Sequence, residues 1–124
     1  MIALETSSVI AYLSGEAGAD VNVVEAALSL HQGIFPPVVV TELLSDPTLE
    51  LQTIKFLEDV PRLEIRAGYW ERAGELRARL LRRGLKAHLA DTLIAQCCLD
   101  HDVGLVTRDQ DFRHFARHAG LRLE

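Results

Sequence analysis

"HLADTLIAQCCLDHDVGLVTRDQDF", residues 88–112, reads mostly as interior, and its few exceptions carry the argument. Leu, Ile, Ala and Cys recur at helical spacing through 88–102, and "VGLVT" at 103–107 is a short β-type run. Yet Asp91 sits inside the helical run, and Asp109 and Asp111 close the strand. Carboxylates at the edges of an apolar core need a reason.

Working outward, helices and strands alternate. "IALE" (2–5) reads as a buried-type strand, and "SSVIAYLSG" as a helix capped by Ser7 or Ser8 and ended by Gly15. Residues 19–33 form an amphipathic helix with Gly33 as its stop. "IFPP" is a very short strand, because its prolines cannot donate to a ladder. Pro37 suits the first turn of the next helix, "PVVVTELLS". Residues 47–60 predict a helix, 62–66 a strand, and 67–84 a long Arg-rich helix. After the opening stretch come a helix over 109–120 and a last strand, "LRLE" (121–124). This order predicts an α/β fold with a parallel sheet covered on both faces. In such sheets ligands bind beyond the carboxyl ends of the strands.

The chain has 124 residues, which predicts one domain spanning 1–124, large enough to bury a core without staples. No apolar run approaches the roughly 20 residues of a membrane helix. The N-terminus has no Lys or Arg before its apolar stretch and contains Glu5, which argues against a signal peptide and for a cytoplasmic protein. Cys97 and Cys98 are adjacent and read as buried, reduced thiols. The net charge of −5 argues against broad coating of nucleic acid. It leaves room for an enzyme whose carboxylate cluster holds metal ions, since those ions cancel the local charge.

Glu5, Asp109 and Asp111 fall on the expected ligand edge, and helix geometry can bring Glu42 and Asp91 there too. At about 100° per residue, Thr92, Gln96 and Asp100 share one polar face, while Asp91 lies at the margin of the apolar arc with Ile94, Ala95 and Cys98. Each acid also has a plain structural reading. Asp91 would favour the helix dipole, Asp109 would be an N-cap, and Glu42 a surface glutamate. Together they would repel one another. Mg²⁺ or Mn²⁺, which take oxygen ligands, would relieve that repulsion. Two such ions about 3.5–4 Å apart can drive phosphodiester hydrolysis. No Gly-rich phosphate loop or G-x-S-x-G elbow competes for the role.

With these residues in view, the chain resembles PIN-domain ribonucleases, especially the VapC-like toxins of toxin–antitoxin pairs. The matching segments are "IALETSSVIAYL", "VVVTELL", the opening stretch and "LRLE", in order over nearly the whole chain. The most specific is an Asp opening an L-I-A helix, then a strand, then T-x-D-x-D-F. The resemblance implies a three-layer α/β/α sandwich with a short parallel sheet, and a Mg²⁺- or Mn²⁺-dependent endoribonuclease. It implies catalytic acids at Glu5, Glu42, Asp91 and Asp109. The ion would be held by Glu5, Asp91, Asp109 and Asp111, with Thr6, Ser7 and Thr107 in support. It also implies an RNA substrate and a small antitoxin partner. The chain departs from the family at Glu5, where Asp is usual. A methylene moves the carboxylate by roughly 1 Å, which can cost on the order of 10²-fold in rate, so reduced activity is expected.

Arg82, Arg83 and Lys86 precede Asp91, Arg108 precedes Asp109, and Arg113 follows it. They are candidate phosphate contacts, or simply a solvated face. His114 and His118 have the i, i+4 spacing of a zinc pair but no evident third ligand. Tyr69 and Trp70 could stack on bases or pack in a core. Surplus apolar residues at 8–14 and 47–60 suggest a homodimer. Two alternatives stay open: a PIN nuclease of RNA processing without an antitoxin, and a catalytically weak PIN fold that only binds RNA or protein.

Overall fold

In the computed structural model, which describes residues 1–124, the chain begins with strand β1 (Ile2–Leu4) and turns at once into α1 (Thr6–Leu13). Helix α2 (Ala19–Ser29) follows, then β2 (Gly33–Ile34), α3 (Pro37–Leu44) and α4 (Leu51–Asp59). Helices α5 (Tyr69–Arg82) and α6 (Leu89–His101) lead to β3 (Gly104–Val106). A single 3-10 turn (Gln110–Phe112) and α7 (Arg113–Ala119) complete the order.

The three strands are parallel, in the order β2-β1-β3. Ala3 pairs with Ile34 on one side and Leu105 on the other. The step from β1 to β2 runs one way across the sheet, and the step from β2 to β3 runs back past β1. Crossovers are right-handed, so the two steps put their helices on opposite faces. Helices α1 and α2 pack together in one layer, and α5 and α6 in the other. The expected α/β sandwich with a short parallel sheet is therefore present. The reversal of direction makes the β1/β3 boundary the switch point, where a crevice opens beyond the strand ends. Ala3, Leu4, Leu105 and Val106 are fully buried in the sheet, with Val9, Val24, Ile94 and Phe112 packed in the same core.

Two expected strands contract to single bridges. In 62–66 only Arg62 bridges, to Phe35, and in 121–124 only Leu123 bridges, to Leu105. Both lie parallel to the sheet at its margins. Beyond Phe35 come Pro36 and Pro37, and Pro37 already opens α3, so the 62–66 segment has no longer partner. Ile65, whose alternation with Leu63 suggested a strand, is 40% exposed. Gly33 does not stop α2 but begins β2. A Cβ there would stand 2.9 Å from Leu4 Cδ1, so a side chain at 33 would have to push the buried Leu4 aside. The expected caps Ser7 and Ser8 are displaced by Glu5.

The polar face of α6 is not solvated. Thr92 and Gln96 are buried, and Asp100 is 8% exposed at its side chain. Arg72 of α5 grips Asp100 with Nε at 3.0 Å and Nη2 at 2.6 Å, and Gln96 Nε2 donates to the same carboxylate at 2.9 Å. The apolar arc and the polar face are thus both covered, the latter because α5 supplies a cation for it. Tyr69 belongs to this interface: it is buried and donates its hydroxyl to the Leu93 carbonyl at 2.6 Å, while Trp70 stays exposed. Cys97 and Cys98 are buried free thiols, and burial pushes the Cys97 thiol up to about 11.

Candidate active site

The backbone ladder continues one residue past β1, with Glu5 N–H donating to the Val106 carbonyl at 3.1 Å. The sheet itself therefore sets Glu5 beside Thr107. Glu5 is also the N-cap of α1: its extended backbone turns the side chain back so that Oε2 accepts the Ser7 N–H at 2.6 Å. The residue as a whole is 4% exposed. Burial pushes it up to about 6, against the hydrogen bonds from Ser7 and Thr107, and the charge of Asp109 adds to the rise.

Thr107 ties the second strand end to the first. Its Oγ1 lies 3.5 Å from Ser7 Oγ and accepts the Asp109 N–H at 3.0 Å. Asp109 in turn caps the 3-10 turn, accepting the Asp111 N–H at 2.9 Å. The T-x-D-x-D-F motif is thus a pair of nested side-chain caps that fixes Asp109 at the mouth of the crevice. Lys86 reaches Asp111 Oδ2 at 3.1 Å.

Asp91 arrives from the first turn of α6, with its side chain 15% exposed. Burial pushes it up to about 6, and the charges of Asp109, Glu42 and Asp111 raise it further, against His88. Glu42, on α3, is exposed and accepts the Thr6 hydroxyl at 2.6 Å. Glu5, Glu42, Asp91, Asp109 and Asp111 are therefore arrayed around the β1/β3 switch point, where Asp91 feels the charges of Asp109, Glu42 and Asp111, and Glu5 that of Asp109. The capping readings of Asp109 and the helix-terminal reading of Asp91 hold together with this convergence, not against it.

The donor set is made of hard carboxylate oxygens, the kind that Mg²⁺ and Mn²⁺ take. Two of the acids are held in a state where ionisation is costly, and a cation is what would offset that cost. The residues fit a divalent ion.

One participant was not legible beforehand. His88, three residues before Asp91, brings Nδ1 to 3.9 Å from Asp91 Oδ2, and its ring can join Asp91 and Asp111 in a group whose donor atoms lie within 4.8 Å of one another. The i, i+3 spacing in "HLAD" was the available signal.

The PIN domain profile matches residues 2–118. The chain belongs to the PIN domain family. No curated protein matches it. Among solved structures, VapBC2 from Rickettsia felis, bound to a DNA fragment from its promoter, superposes with a TM-score of 0.71 at 24% identity, covering 100% of this chain and 98% of that one. VapBC-1 from nontypeable Haemophilus influenzae gives 0.75 at 19% identity, over 100% and 97% of the two chains. FitAcB from Neisseria gonorrhoeae gives 0.73 at 20%, over 99% and 96%. At these identities the structures testify to the shared fold.

In this PIN domain the basic residues divide. Arg82 and Arg113 are exposed, and Arg113 Nε donates only to the nearby Gln110 carbonyl at 3.2 Å. Arg83 Nη1 lies 3.3 Å from His118 Nδ1. Burial lowers the His118 ring, and Arg83, Arg117 and Arg79 lower it further, surroundings that disfavour a zinc ion at His114 and His118. Arg108 is committed elsewhere. It reaches Asp20 with Nε at 2.8 Å and Nη2 at 3.1 Å, Glu16 at 3.3 Å and the Ala17 carbonyl at 3.4 Å. It pins the exit of β3 to the turn between α1 and α2. Ser8 donates to the same Asp20 at 2.8 Å. Chiefly through its bonds from Arg108, the Asp20 carboxyl is lowered to about 2. Arg108→Ala is therefore expected to lower the melting temperature by a few degrees at neutral pH. Asp20's contribution is present above its unfolded pKa and is lost as pH falls toward 2, so the difference between variant and parent should shrink over that range. A variant that melts with its parent but loses RNA binding would make Arg108 a phosphate contact.

The acid cluster has the opposite sign. Glu5 and Asp91 both titrate near 6 in the fold, above their ordinary 4.5 and 3.8. Between about pH 4 and pH 6 the folded PIN domain holds protons that the unfolded chain has released, so stability falls as pH rises through that window. In EDTA the protein is expected to melt several degrees higher at about pH 5 than at about pH 7, and excess Mg²⁺ at the higher pH should recover the loss. Melting that is flat over this range would mean that burial does not raise Glu5 and Asp91 in the fold.

Proposed function

We propose that this PIN domain is a divalent-cation-dependent endoribonuclease and the toxin of a toxin–antitoxin pair. The observation that carries the reading is the placing of Glu5 at the end of β1, Asp109 and Asp111 after β3 and Asp91 in the first turn of α6 around one switch point. Burial, with a smaller push from neighbouring carboxylates, raises Glu5 and Asp91, and such groups gathered in a crevice are typical of functional sites. Glu5, Asp91 and Asp109 would hold the ion, assisted by Asp111. When bound, the ion supplies Lewis-acid charge for the phosphodiester oxygens and a more acidic water. The chain supplies the rest. Ser7 and Thr107 fix the orientation of Glu5 and Asp109. Thr6 holds Glu42 at the rim, where its carboxylate can accept a proton from an approaching water. Lys86 offsets part of the charge of Asp111, and with Arg82, Arg83 and Arg113 it offers cationic contacts to RNA phosphates.

The partner reading rests on a second surface. Helices α1, α3 and α4 enclose a groove of about 320 Å³, lined by Ile10, Leu13, Leu43 and Leu49 and rimmed by Glu42, Asp46 and Glu50. Ile10, Leu13, Leu51 and Phe56 stand exposed around it. An apolar trough with an acidic rim suits a segment that is both apolar and basic, as an antitoxin tail would be. The same exposed residues support a homodimer. The VapBC relatives, described as toxin–antitoxin systems, favour the antitoxin.

Incubation of a mixed RNA pool with Mg²⁺, Mn²⁺ or EDTA tests the reading. Cleavage with either ion, abolished by EDTA, is the expected result. Binding of RNA without cleavage under all three conditions would favour a PIN fold that serves as a binding module.

A further inference from the structure

We propose that His88 is an additional ligand of this site, coordinating through Nδ1, and that it makes the site favour Zn²⁺-class first-row ions over Mg²⁺. The inference rests on the carboxylate metal site proposed above. None of the five acids explains what His88 is for. It is the N-cap residue of α6, but its ring makes no capping hydrogen bond. Its backbone is nevertheless held firmly: the carbonyl accepts both the Thr92 N–H at 3.0 Å and the Thr92 hydroxyl at 2.8 Å. Thr92 is itself fully buried. The main chain at position 88 is thus anchored to the core while the ring, 61% exposed, is free to turn at the mouth of the crevice.

Where it turns is constrained. Nδ1 already faces Asp91 Oδ2 at 3.9 Å, and the donor atoms available from His88, Asp91 and Asp111 lie within 4.8 Å of one another. Ligands that share an ion with bonds of about 2.0–2.2 Å stand roughly 3–3.5 Å apart, so a closure of about 1–2 Å, within reach of a turn of the exposed ring, completes the set. Asp111 meets Lys86 through Oδ2 at 3.1 Å, which leaves its other oxygen for an ion. Two carboxylates and an imidazole form a different donor set from carboxylates alone. Oxygen ligands suit Mg²⁺, whereas an imidazole nitrogen adds affinity for Zn²⁺, Ni²⁺ and their neighbours in the series. The His88 ring would therefore tune which ion the cluster holds, without displacing any acid from its role.

Calorimetric titration with Zn²⁺ and with Mg²⁺ separately, on the parent, His88→Ala and Asp91→Asn, tests this. His88→Ala keeps the carbonyl on which Thr92 donates, so the start of α6 is preserved. Loss of a supporting partner alone weakens metal binding by about 10–100-fold, so loss of a ligand should weaken Zn²⁺ by at least about tenfold. Mg²⁺ affinity should stay within about twofold. In ¹⁵N-histidine spectra of the parent, Zn²⁺ should shift one ring Nδ1 resonance, and that resonance should be missing from His88→Ala. Zn²⁺ affinity unchanged in His88→Ala, Mg²⁺ affinity falling in parallel, or an unmoved Nδ1 resonance would each overturn the proposal. If Asp91→Asn abolishes binding of both ions while His88→Ala changes neither, the carboxylate site stands and only the imidazole is removed. If Asp91→Asn leaves both ions bound as before, the carboxylate site falls, and His88 with it.

Discussion

Asp91→Asn is expected to abolish divalent-ion binding and RNA cleavage while leaving the metal-free protein at least as stable as the parent. The sign follows from the acid's position. At neutral pH Asp91 is ionised although the fold holds its carboxyl near 6, so the charge works against the folded state. An elevation of about two units corresponds to on the order of 2 kcal/mol, which an amide of the same shape would release. If Asp91 served only the helix dipole, the substitution would instead cost about 0.3–1 kcal/mol and spare the chemistry. Loss of a charged ligand at the centre of the cluster is expected to lower cleavage by roughly 10²–10³-fold. Melting curves in EDTA, run beside cleavage rates, separate the two cases. Asp109→Asn should behave alike in rate, and because Asn caps as well as Asp, the 3-10 turn should survive it. A rate that persists in both variants would end the proposal of a catalytic cluster here.

The Glu5 series should be nearly as large in effect. Glu5→Gln keeps the size of the side chain, and its carbonyl oxygen can still accept the Ser7 N–H, so α1 should remain capped. It removes the buried charge, and ion affinity should fall by about 10–100-fold, with cleavage following. Glu5→Asp is the more instructive change. An extra methylene suggested a carboxylate displaced by about 1 Å. In the fold that methylene is taken up by the turn back onto Ser7 N, a contact that Asp makes readily from an N-cap position. Asp should therefore place its carboxylate close to where Glu5 holds its own, and the rate should change by less than about tenfold in either direction. A gain on the order of 10²-fold would show instead that Glu5 holds the acid out of position.

How much of this was legible varies by element, for physical reasons. In the 88–112 stretch the helix and the strand were legible because helical and strand periodicities change sharply at Val103. Asp91 was visible as a charge out of phase with its own helix. The face opposite was misleading, because polarity in Thr92, Gln96 and Asp100 says nothing of whether a partner covers it. Arg72, the partner, lies 28 residues from Asp100. The two marginal strands looked real because alternation is local, whereas pairing depends on how long the neighbouring strand runs. The role of Arg108 was hidden for the same reason: Asp20 lies 88 residues away. Charges with distant partners look like free charges in a sequence.

The seam between α5 and α6 has a consequence for how the crevice is aimed. Asp100 and Asp91 ride on one rigid rod, about 13 Å apart along its axis. Arg72, from α5, clamps the far end and so sets the angle to which that rod is turned. A carboxylate about 5–6 Å off the axis would swing by about 2 Å if the rod rolled by about 20°. The torsional setting of Asp91 is thus governed by a latch that never touches it. Drift at Arg72 could detune the site with every acid still in place, and a compensating change at Asp100 could bring it back into alignment.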